Sequence, residues 1–355
     1  MKVYKVIGLM SGTSLDGLDL AHCHLWEENG HWQFALEQTH SIDYSQQWHQ
    51  RLQNAIYLKA EDLLQLHHAY GTWLWQCTKR FIKDRGLSVD FIASHGHTAH
   101  HRPELGLTFQ LGSGQHIANE TGITTICDFR ANDVALGGQG APLVPIGDRL
   151  LFSEYDFCLN LGGISNVSFE RDGKRLAYDI GMANMPLNHL SQKMGLPYDK
   201  DGDMARKGHL DTPLLQSLNA LGYYKVLPPK STGYEWFTQK VVPILNSCKS
   251  PLENQMHTLV HHNCEQISRA IPLQGKVSLL VTCGGTLNSF FMEVLQEKLG
   301  DNVQIVTPSQ GLINFKEALV FALMGVLRME NKVNVLASVT GAQRDSSSGV
   351  VHLPN

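Results

Sequence analysis

Three glycine-rich turns, each directly after a short apolar segment, constrain the fold of this chain more than any other feature. The segments and the glycines that follow them are Val3–Met10 with Gly12 and Gly17, Asp156–Leu161 with Gly162 and Gly163, and Val277–Thr282 with Gly284 and Gly285. Apolar runs with β-branched residues predict buried strands, and glycine lets the backbone turn tightly after them. The first two turns lie about 150 residues apart, and a further predicted strand follows each. This spacing predicts a chain built from two similar α/β halves.

Length and composition narrow the class of protein. A chain of 355 residues corresponds to about two domains of average size. Hydrophobic residues make up 43% of the chain and charged residues 17%, which excludes a disordered chain and a coiled coil. The formal net charge of -4 leaves no basic footprint for nucleic acid or for an anionic membrane. We therefore expect a globular enzyme with a small-molecule partner, no nucleic acid and no membrane.

The cysteines and the apolar runs indicate a cytoplasmic protein. Seven cysteines are spread along the chain without a CxxC pair, which excludes a zinc knuckle and a thioredoxin-like site. Free thiols suit a reducing compartment. The longest apolar run, Ala318–Leu327, has ten residues, well below the roughly 20 that a membrane span needs. The apolar run before Ser11 is too short for a signal peptide.

The rest of the pattern mixes helices with strands. Helices are predicted at 61–83, 251–270, 289–299 and 315–329, and a strand at 123–129. The stretch Gly137–Pro145 is rich in glycine and proline, which favours a domain boundary there. We predict one domain over residues 1–135 and a second over 136–355, with the extreme C-terminus returning to the first.

The first turn, Gly12-Thr13-Ser14-Leu15-Asp16-Gly17, has the composition of a phosphate-binding loop. Such a loop needs exposed backbone N–H groups, small residues for close approach and hydroxyl donors. The carboxylates of Asp16 and Asp19 are candidates to orient a magnesium shell or a hydroxyl. An ordinary hairpin turn would have a similar composition. The patterns GxxxxGK[ST] and GxGxxG are absent, so a Walker NTPase and a Rossmann dehydrogenase are not supported.

Nine stretches of the chain carry a resemblance to a known family. They are GLMSGTSLDGLD (8–19), SHGHTAHHRP (94–103), DFRANDVALGGQGAPLVP (128–145), NLGGISNVS (160–168), YDIGMANMPLNHL (178–190), PPKSTGYEWF (228–237), CGGTLN (283–288), KEALVFALMG (316–325) and VTGA (339–342). In this order they resemble the anhydro-N-acetylmuramic acid kinase family. The layout of the glycine turns is also similar to that of the actin, hexokinase and Hsp70 superfamily. The resemblance implies a two-domain, actin-like (ribonuclease H-like) α/β ATPase fold with an interdomain cleft.

The resemblance further implies an ATP-dependent kinase that uses Mg²⁺ and acts on an amino sugar. The family hydrolyses the 1,6-anhydro ring of 1,6-anhydro-N-acetylmuramic acid and phosphorylates O6, within cell-wall (peptidoglycan) recycling. The implied ATP-binding residues are Gly12, Thr13, Ser14, Leu15, Asp16, Gly17, Leu18, Asp19, Gly162, Gly163, Gly284 and Gly285. The oligomeric state stays open, with a homodimer as one option.

Asp179 is the implied general base that activates water for ring opening, a task that suits a carboxylate. It follows an apolar stretch and precedes Ile180-Gly181, so we expect it at the end of a strand beside a glycine turn. Its spacing alone favours an N-cap for a helix beginning near Pro186, or a turn former, and only the family resemblance favours the base. The family usually has proline where Met182 stands, which makes the placement of the base less certain.

Three further residues are implied as sugar contacts: His97, Arg130 and Glu317. Arg130, leaving the predicted strand 123–129, suits a bidentate clamp on the lactyl carboxylate of muramic acid; a surface ion pair with Asp133 is the alternative. His97 stands where the family often has glutamine, and a neutral imidazole can both donate and accept. A metal site of the HxH type is the alternative there. Glu317, at the predicted start of the last long helix, could equally serve the helix dipole.

The segment Lys230-Ser231-Thr232-Gly233 resembles a phosphate loop only superficially, because it follows Pro228-Pro229 instead of a strand. We predict a structural role for it. Tyr234 stands where the family usually has arginine.

The metal ligands and the competing functions stay open. Many members of the superfamily hold magnesium with an aspartate just before the first Gly-Thr, a position that Met10 occupies here, so the metal would be held by its own waters, by phosphates or by other carboxylates, and its protein ligands stay unassigned. One alternative function is a kinase of a simpler anhydro-sugar such as levoglucosan, which Arg130 disfavours because that sugar has no carboxylate. Two others are a metal-dependent hydrolase built on the HxH loop and a catalytically silent sugar sensor, which would not need Asp179.

Overall fold

The computed structural model describes residues 1–12, 15–272 and 275–355. Thr13 and Ser14 of the predicted phosphate loop lie outside this part of the chain. The described residues form two compact units. Unit 1 consists of Met1–Phe152 and Phe315–Asn355, and unit 2 of Ser153–Asn314.

Strands and helices are mixed in both units. The strands are β1 (Val3–Met10), β2 (Gly17–Glu28), β3 (His31–Asp43), β4 (Phe91–Ser94), β5 (His97–Arg102), β6 (Leu107–Leu111), β7 (Thr125–Cys127), β8 (Phe157–Leu161), β9 (Ile164–Arg171), β10 (Lys174–Met182), β11 (Val277–Thr282), β12 (Val303–Val306) and β13 (Val350–His352). The α-helices are α1 (Gln46–Gln53), α2 (Ala60–Arg85), α3 (Gly114–Thr121), α4 (Ala131–Ala135), α5 (Pro145–Leu151), α6 (Asn184–Lys193), α7 (Asp203–Lys207), α8 (Thr212–Asn219), α9 (Tyr234–Trp236), α10 (Val242–Ser247), α11 (Leu252–Ala270), α12 (Ser289–Leu299), α13 (Gln310–Met329) and α14 (Ala337–Thr340).

A sheet with the strand order β13-β7-β4-β1-β2-β3 forms the centre of unit 1. The strands β1, β2 and β3 pair antiparallel, whereas β4 runs parallel to β1 and to β7. The apolar face of α2 buries Tyr70, Leu74 and Phe81 in one cluster with Ile7 and Leu9 of β1. Burial of each such side chain contributes about 1.5–3 kcal/mol, so packing against the sheet holds this long helix in place.

Unit 2 repeats the same topology with the order β10-β9-β8-β11-β12. Its first two strand pairs are antiparallel, and β11 runs parallel to β8 and to β12. Counted along the chain within this sheet, the five strands have the order 3-2-1-4-5. The five strands β3-β2-β1-β4-β7 of the unit 1 sheet have the same order, because β5 and β6 pair separately. The prediction of two similar α/β halves is confirmed. The shared order also agrees with the actin-like, ribonuclease H-like fold that the family resemblance implied.

Two elements differ from the predicted bounds for local reasons. The strand predicted at 123–129 is shorter because Asp128 has a left-handed backbone conformation, with φ of 59°, which ends β7 at Cys127. The last long helix starts at Gln310 rather than near Phe315. Ser309 provides its cap: the backbone N–H of Leu312 donates to Ser309 Oγ at 3.4 Å.

The division between the units differs from the boundary predicted at residue 135. Residues 136–152 belong to unit 1, where α5 is anchored by a buried ion pair between Asp148 and Lys316 of α13, with 2.7 Å between Oδ1 and Nζ. The chain returns to unit 1 at Phe315. Among the helices that the structure describes, none combines the length and the apolar character that crossing a membrane requires.

Candidate active site

The β1–β2 hairpin of unit 1 carries the first glycine-rich turn. After β1 ends at Met10, the backbone N–H of Leu15 donates to the carbonyl oxygen of Gly12 at 3.4 Å. Gly17, where β2 begins, is needed by the fold itself, because a Cβ there would lie 2.3 Å from the carbonyl oxygen of Ile42. The described part of this turn is therefore a compact hairpin loop.

The start of β2 places two carboxylates near this turn. Asp19 accepts a hydrogen bond from Ser41 Oγ at 2.5 Å. Burial raises the pKa of the Asp19 carboxyl, and the negative charge of Asp16 adds to this rise. Leu18 between them is buried in the core of unit 1, so only its backbone is available to a ligand.

The start of α6 fixes the second glycine-rich turn, which joins β8 to β9. The backbone N–H of Asn184 donates to the carbonyl oxygen of Gly162 at 3.1 Å, and that of Met185 to Gly163 at 3.1 Å. The side-chain Nδ2 of Asn184 adds a bond to Gly162 at 2.9 Å. The carbonyls of the turn are thus bound, while its own amides donate to no residue that the structure describes. Available backbone amides are what a phosphate-binding turn offers.

The space around the turn glycines separates those that the fold needs from those that it does not. A Cβ at Gly285 would lie 2.7 Å from the Cβ of Leu161, so this glycine lets the third turn pack on β8. A Cβ at Gly162 or Gly163 would meet nothing closer than 3.5 Å, and one at Gly284 would meet nothing within 4 Å. These three glycines also have no left-handed φ. Internal packing does not explain them, whereas close approach of a ligand would.

A cavity of about 550 Å³ opens beside the third turn, within unit 2. Its lining combines amide, charged, aromatic and aliphatic groups: Asn184, Asn188, Tyr198, Asp199, Lys200, Asp201, Gly284, Leu287 and Asn288. Asn184 also holds the β8–β9 turn, so the cavity lies next to both glycine turns of this unit. Its size is in the usual range for small-molecule sites.

Asp179 lies inside β10, which continues to Met182, rather than at the end of a strand as predicted. A bulge between Asp179 and Gly181 interrupts the pairing of β10 with β9. A Cβ at Gly181 would lie 2.5 Å from the ring of Tyr224, so glycine is needed there for that ring to pack. The alternative of an N-cap is wrong, because α6 begins at Asn184 and Ala183 occupies its cap position.

One carboxylate oxygen of Asp179 is held and the other is open. Its Oδ2 accepts hydrogen bonds from Ser231 Oγ at 2.9 Å and from the backbone N–H of Thr232 at 3.0 Å. No residue in the described ranges donates to Oδ1. Burial raises the pKa of this carboxyl, and the two hydrogen bonds oppose the rise because they favour the ionised form. The half-buried carboxylate thus keeps one oxygen available for proton transfer.

Arg130 precedes α4, and its guanidinium is held from two sides. Its Nε donates to Nε2 of His95 at 3.0 Å, and Nη1 donates to the carbonyl oxygen of Gly140 at 2.6 Å. A guanidinium has five N–H groups, so both N–H groups of Nη2 and one of Nη1 remain for a ligand. Burial lowers the pKa of Arg130 to about 10, against the opposing charges of Glu317 and Asp133. The group therefore stays protonated at neutral pH.

Asp133 supports the loop beside Arg130 instead of forming a surface ion pair. Its side chain is fully buried. One oxygen accepts from the backbone N–H of Gly140 at 2.7 Å, and the other accepts from Thr340 Oγ1 at 2.7 Å. The surface-pair alternative is wrong, since Asp133 fixes Gly140, which in turn accepts from Arg130.

The two imidazoles of the HxH pair are buried in unit 1 and already bonded. Nδ1 of His95 donates to the carbonyl oxygen of Gly96 at 2.8 Å, which leaves Nε2 as the acceptor for Arg130. Nδ1 of His97 lies 3.3 Å from Ser11 Oγ, and this side chain is only 4% exposed. Burial lowers the pKa of both imidazoles, that of His97 to about 4. Outside the two gaps, the chain shows no group of three His, Cys, Asp or Glu side chains that could hold a metal ion.

Glu317 lies in the third turn of α13, because that helix begins at Gln310. A helix-dipole role does not fit this position, since the dipole acts within the first turn. The Glu317 side chain is solvent-accessible. The surrounding protein reduces the hydration of the carboxylate and thereby raises its pKa. The charge of Arg130 opposes that rise, and the charge of Asp19 adds to it. Glu317 thus lies near enough to Arg130 and to Asp19, at the start of β2, for their charges to act on it.

Three residues in these arrangements were not identified from the sequence as partners of the candidate site residues. His95 orients Arg130, while Ser231 and Thr232 hold Asp179. All three lie inside stretches that carry the family resemblance, at 94–103 and 228–237. That position is a usable signal, but local spacing gives none, because their partners are distant in the chain.

A family model and curated relatives of one name match nearly the whole chain. The family model described as "Anhydro-N-acetylmuramic acid kinase" matches residues 4–354. Proteins of that name from Sulfurimonas denitrificans and Vibrio cholerae are 33% and 34% identical to it, each over 98% of both chains. Among solved structures, the activator of 2-hydroxyisocaproyl-CoA dehydratase from Clostridium difficile with bound ADPNP aligns with a TM-score of 0.44 and 12% identity, over 90% of this chain and 93% of its own. A ROK family glucokinase from Streptomyces griseus in complex with glucose and AMPPNP aligns with a TM-score of 0.41 and 10% identity, over 91% and 99%.

Proposed function

The chain belongs to the anhydro-N-acetylmuramic acid kinase family, and on that premise we propose how its own residues carry out the reaction. The enzyme is a kinase. Its substrates are 1,6-anhydro-N-acetylmuramic acid, water and ATP, and its products are N-acetylmuramic acid 6-phosphate and ADP, in peptidoglycan recycling. We place the reaction in the cytoplasm, where ATP is available.

Ring opening needs a base, and Asp179 fits that role. Water attacks C1 while the bond from C1 to the bridging O6 breaks, and Oδ1 of Asp179 takes a proton from the water. The freed O6 takes the γ-phosphoryl group of ATP, and ADP leaves. The single observation that carries this assignment is the asymmetry of the carboxylate, with Oδ2 held by Ser231 and Thr232 and Oδ1 open. A positioned base contributes about 10²–10⁴-fold to the rate of such a step.

Arg130 fits the lactyl carboxylate of the muramic acid. Its Nε and part of Nη1 are used by His95 and Gly140, so the free donors lie at the Nη1–Nη2 end. Two parallel N–H···O bonds from this end match a carboxylate. Glu317 is the proposed partner for a sugar hydroxyl, because an ionised carboxylate is an acceptor. His97 is buried against Ser11, so its proposed contact with the sugar is limited to the small exposed part of its ring.

The glycine turns fit the nucleotide. Available amides at Gly162 and Gly163 suit phosphate oxygens, and the cavity beside Gly284 suits the adenosine. The lining residues Tyr198 and Leu287 would face the base, and Asn188 and Lys200 would supply polar contacts. Gly12, with the rest of the first turn, is proposed for the outer phosphates.

Magnesium is proposed as the companion of ATP. Mg²⁺ usually keeps several waters and binds through one or two carboxylates plus substrate phosphates. The charge of Asp16 raises the pKa of Asp19, so the two carboxylates lie close to each other. They fit the one or two carboxylate ligands that Mg²⁺ needs beside the phosphates. When bound, the ion would neutralise charge on the phosphates during transfer.

The decisive test compares substrates in an assay that couples ADP release to NADH oxidation. We expect ADP release with 1,6-anhydro-N-acetylmuramic acid and Mg²⁺-ATP, much less with levoglucosan, and almost none with ATP alone. Equal rates with both sugars would favour the simpler anhydro-sugar kinase. Turnover of the sugar without ATP would favour the hydrolase.

A further inference from the structure

The segment after the two prolines, expected to be structural, supplies the hydrogen bonds that hold the proposed base. Ser231 Oγ and the Thr232 backbone N–H both donate to Oδ2 of Asp179, at 2.9 and 3.0 Å. In return, the backbone N–H of Asp179 donates to the carbonyl oxygen of Lys230 at 3.1 Å. The segment therefore pairs with the bulge of β10 through both the backbone and the carboxylate.

Tyr223 and its neighbours hold the backbone of Asp179 at its carbonyl group. The hydroxyl of Tyr223 donates to the carbonyl oxygen of Asp179 at 2.7 Å. Lys230 lies with its Nζ 4.6 Å from the centre of the Tyr223 ring and donates to the Tyr223 carbonyl oxygen at 3.4 Å. Next to them, Tyr224 packs on Gly181. The base is thus anchored by its backbone through Tyr223 and by its side chain through Ser231.

We propose that Ser231 is a positioning residue for Asp179: together with the Thr232 amide, its hydroxyl holds Oδ2 and leaves Oδ1 free to accept the proton. This inference rests on the proposed role of Asp179 as the base. It gives the 228–237 stretch a part in the reaction, in place of the structural role expected from its prolines.

The surroundings of Asp179 indicate that Ser231 is the side chain that most affects the pKa of its carboxyl. In the part of the chain that the structure describes, the titratable groups around Asp179 are Tyr178 on its own strand, Tyr223 and Tyr224 in the turn at 222–225, and Lys230 on the segment itself. Burial alone raises the pKa of the Asp179 carboxyl, and the bonds from Thr232 and Ser231 are what lower it. The Thr232 donor is backbone and survives substitution, so Ser231 is the side chain through which the base can be altered.

Ser231 is also a favourable position to change. Its side chain is exposed, so removal of the hydroxyl leaves no cavity in the core. Ser217 in α8 offers a matched control in the same unit, because it is exposed and its hydroxyl donates only to the Pro213 carbonyl oxygen, at 2.9 Å.

The experiment compares the wild type with Ser231→Ala, Ser231→Thr and Ser217→Ala. The pKa of Asp179 is followed in the free protein by carbon-13 NMR of labelled aspartate carboxyls, with the Asp179 signal assigned by its loss in Asp179→Asn. Loss of one hydrogen bond to a carboxylate should raise this pKa by about one unit in Ser231→Ala. Ser231→Thr should restore it and Ser217→Ala should leave it unchanged.

Kinetics of the same proteins test the consequence for the reaction. We expect kcat to fall about tenfold in Ser231→Ala, with KM for ATP and for the sugar close to wild type, and to recover in Ser231→Thr. An unchanged Asp179 pKa and an unchanged kcat in folded Ser231→Ala would overturn the proposal. Should Ser231→Ala melt early, Ser231→Cys, which keeps the shape with a weaker donor, should show the same two effects in smaller measure.

The two possible failures are distinguishable. If Asp179→Asn keeps wild-type turnover, the base assignment fails, whatever Ser231 does to the pKa. If Asp179→Asn is inactive while Ser231→Ala changes neither the pKa nor kcat, the base stands and the positioning role of Ser231 is refuted.

Discussion

The Nε of Arg130 donates a 3.0 Å hydrogen bond to Nε2 of His95. Only a neutral imidazole can accept this bond, and burial together with the charge of Arg130 lowers the pKa of His95 well below its ordinary value. The arginine thus keeps neutral the group that orients it. The Nε edge of the guanidinium makes this contact. The donors that remain for a ligand therefore lie at its Nη1–Nη2 end.

Arg130→Lys should raise KM for 1,6-anhydro-N-acetylmuramic acid about tenfold, because a single ammonium cannot reproduce two parallel hydrogen bonds to a carboxylate. KM for ATP should stay near wild type. Steady-state kinetics on both substrates measure the effect, with Arg102→Lys, an exposed position in β5, as the control. A parallel rise in KM for ATP would show that the residue does not act on the sugar alone.

Asp179→Asn should fold, bind both substrates and turn over at least about a hundredfold more slowly, because the amide lacks the basic lone pair. Calorimetric titration measures binding and the coupled assay measures kcat. Asp172→Asn, in an exposed turn of the same unit, should keep full activity. Retention of more than about a tenth of wild-type kcat would place the base elsewhere.

Gly284→Val should weaken ATP binding without changing thermal stability, since a side chain there meets only open space in the protein itself. Gly285→Val is the contrasting variant. Its side chain would collide with Leu161, and such overpacking typically costs about 1–3 kcal/mol of unfolding free energy. Titration with a non-hydrolysable ATP analogue and thermal melts separate the two effects. Unchanged nucleotide affinity in Gly284→Val would remove the third turn from the site.

Replacement of His97 should change how stability depends on pH. The unfolded chain gains a proton as the pH falls through about 6.5, whereas the folded protein does so only near 4. Stability that is full above pH 6.5 is therefore lost progressively between these two values, by about 2 kcal/mol from pH 7 to 5.

His97→Gln should lack this share of the acid loss, because an amide does not titrate. Urea unfolding at pH 7 and pH 5 provides the measurement. The exposed His49 gives the control, as His49→Gln should keep the wild-type difference between the two pH values. Identical acid losses in wild type and His97→Gln would contradict the assignment of a neutral, buried His97.

The sequence was sufficient for elements whose ends are marked locally. The bounds of β1, β11 and α12 match the predictions because each apolar run stops at a turn residue or cap next to it. It was insufficient where a single backbone conformation or cap decides. Nothing in the apolar pattern shows the left-handed Asp128 that ends β7, or the Ser309 cap that starts α13 five residues early.

The candidate site shows the same limit at longer range. Asp179 and Arg130 were identified from the family resemblance, but their partners were not, because Ser231 and His95 lie 52 and 35 positions away from them. Local spacing carries no information about which loop will meet which strand. Only the folded sheet brings the segment after Pro229 against the bulge of β10.

The chain completes unit 1 with residues that follow unit 2. Helix α13 lies so close to β1 that a Cβ at Gly8 would be 1.9 Å from the carbonyl oxygen of Ala318, and β13 supplies the edge strand beside β7. The ribosome synthesises α13 and β13 after unit 2. During translation, unit 2 has its whole sequence available while the first sheet still lacks its covering helix and its final strand. A nonsense codon shortly after residue 314 would therefore spare unit 2 and leave the older, N-terminal half of the nascent chain unable to finish folding.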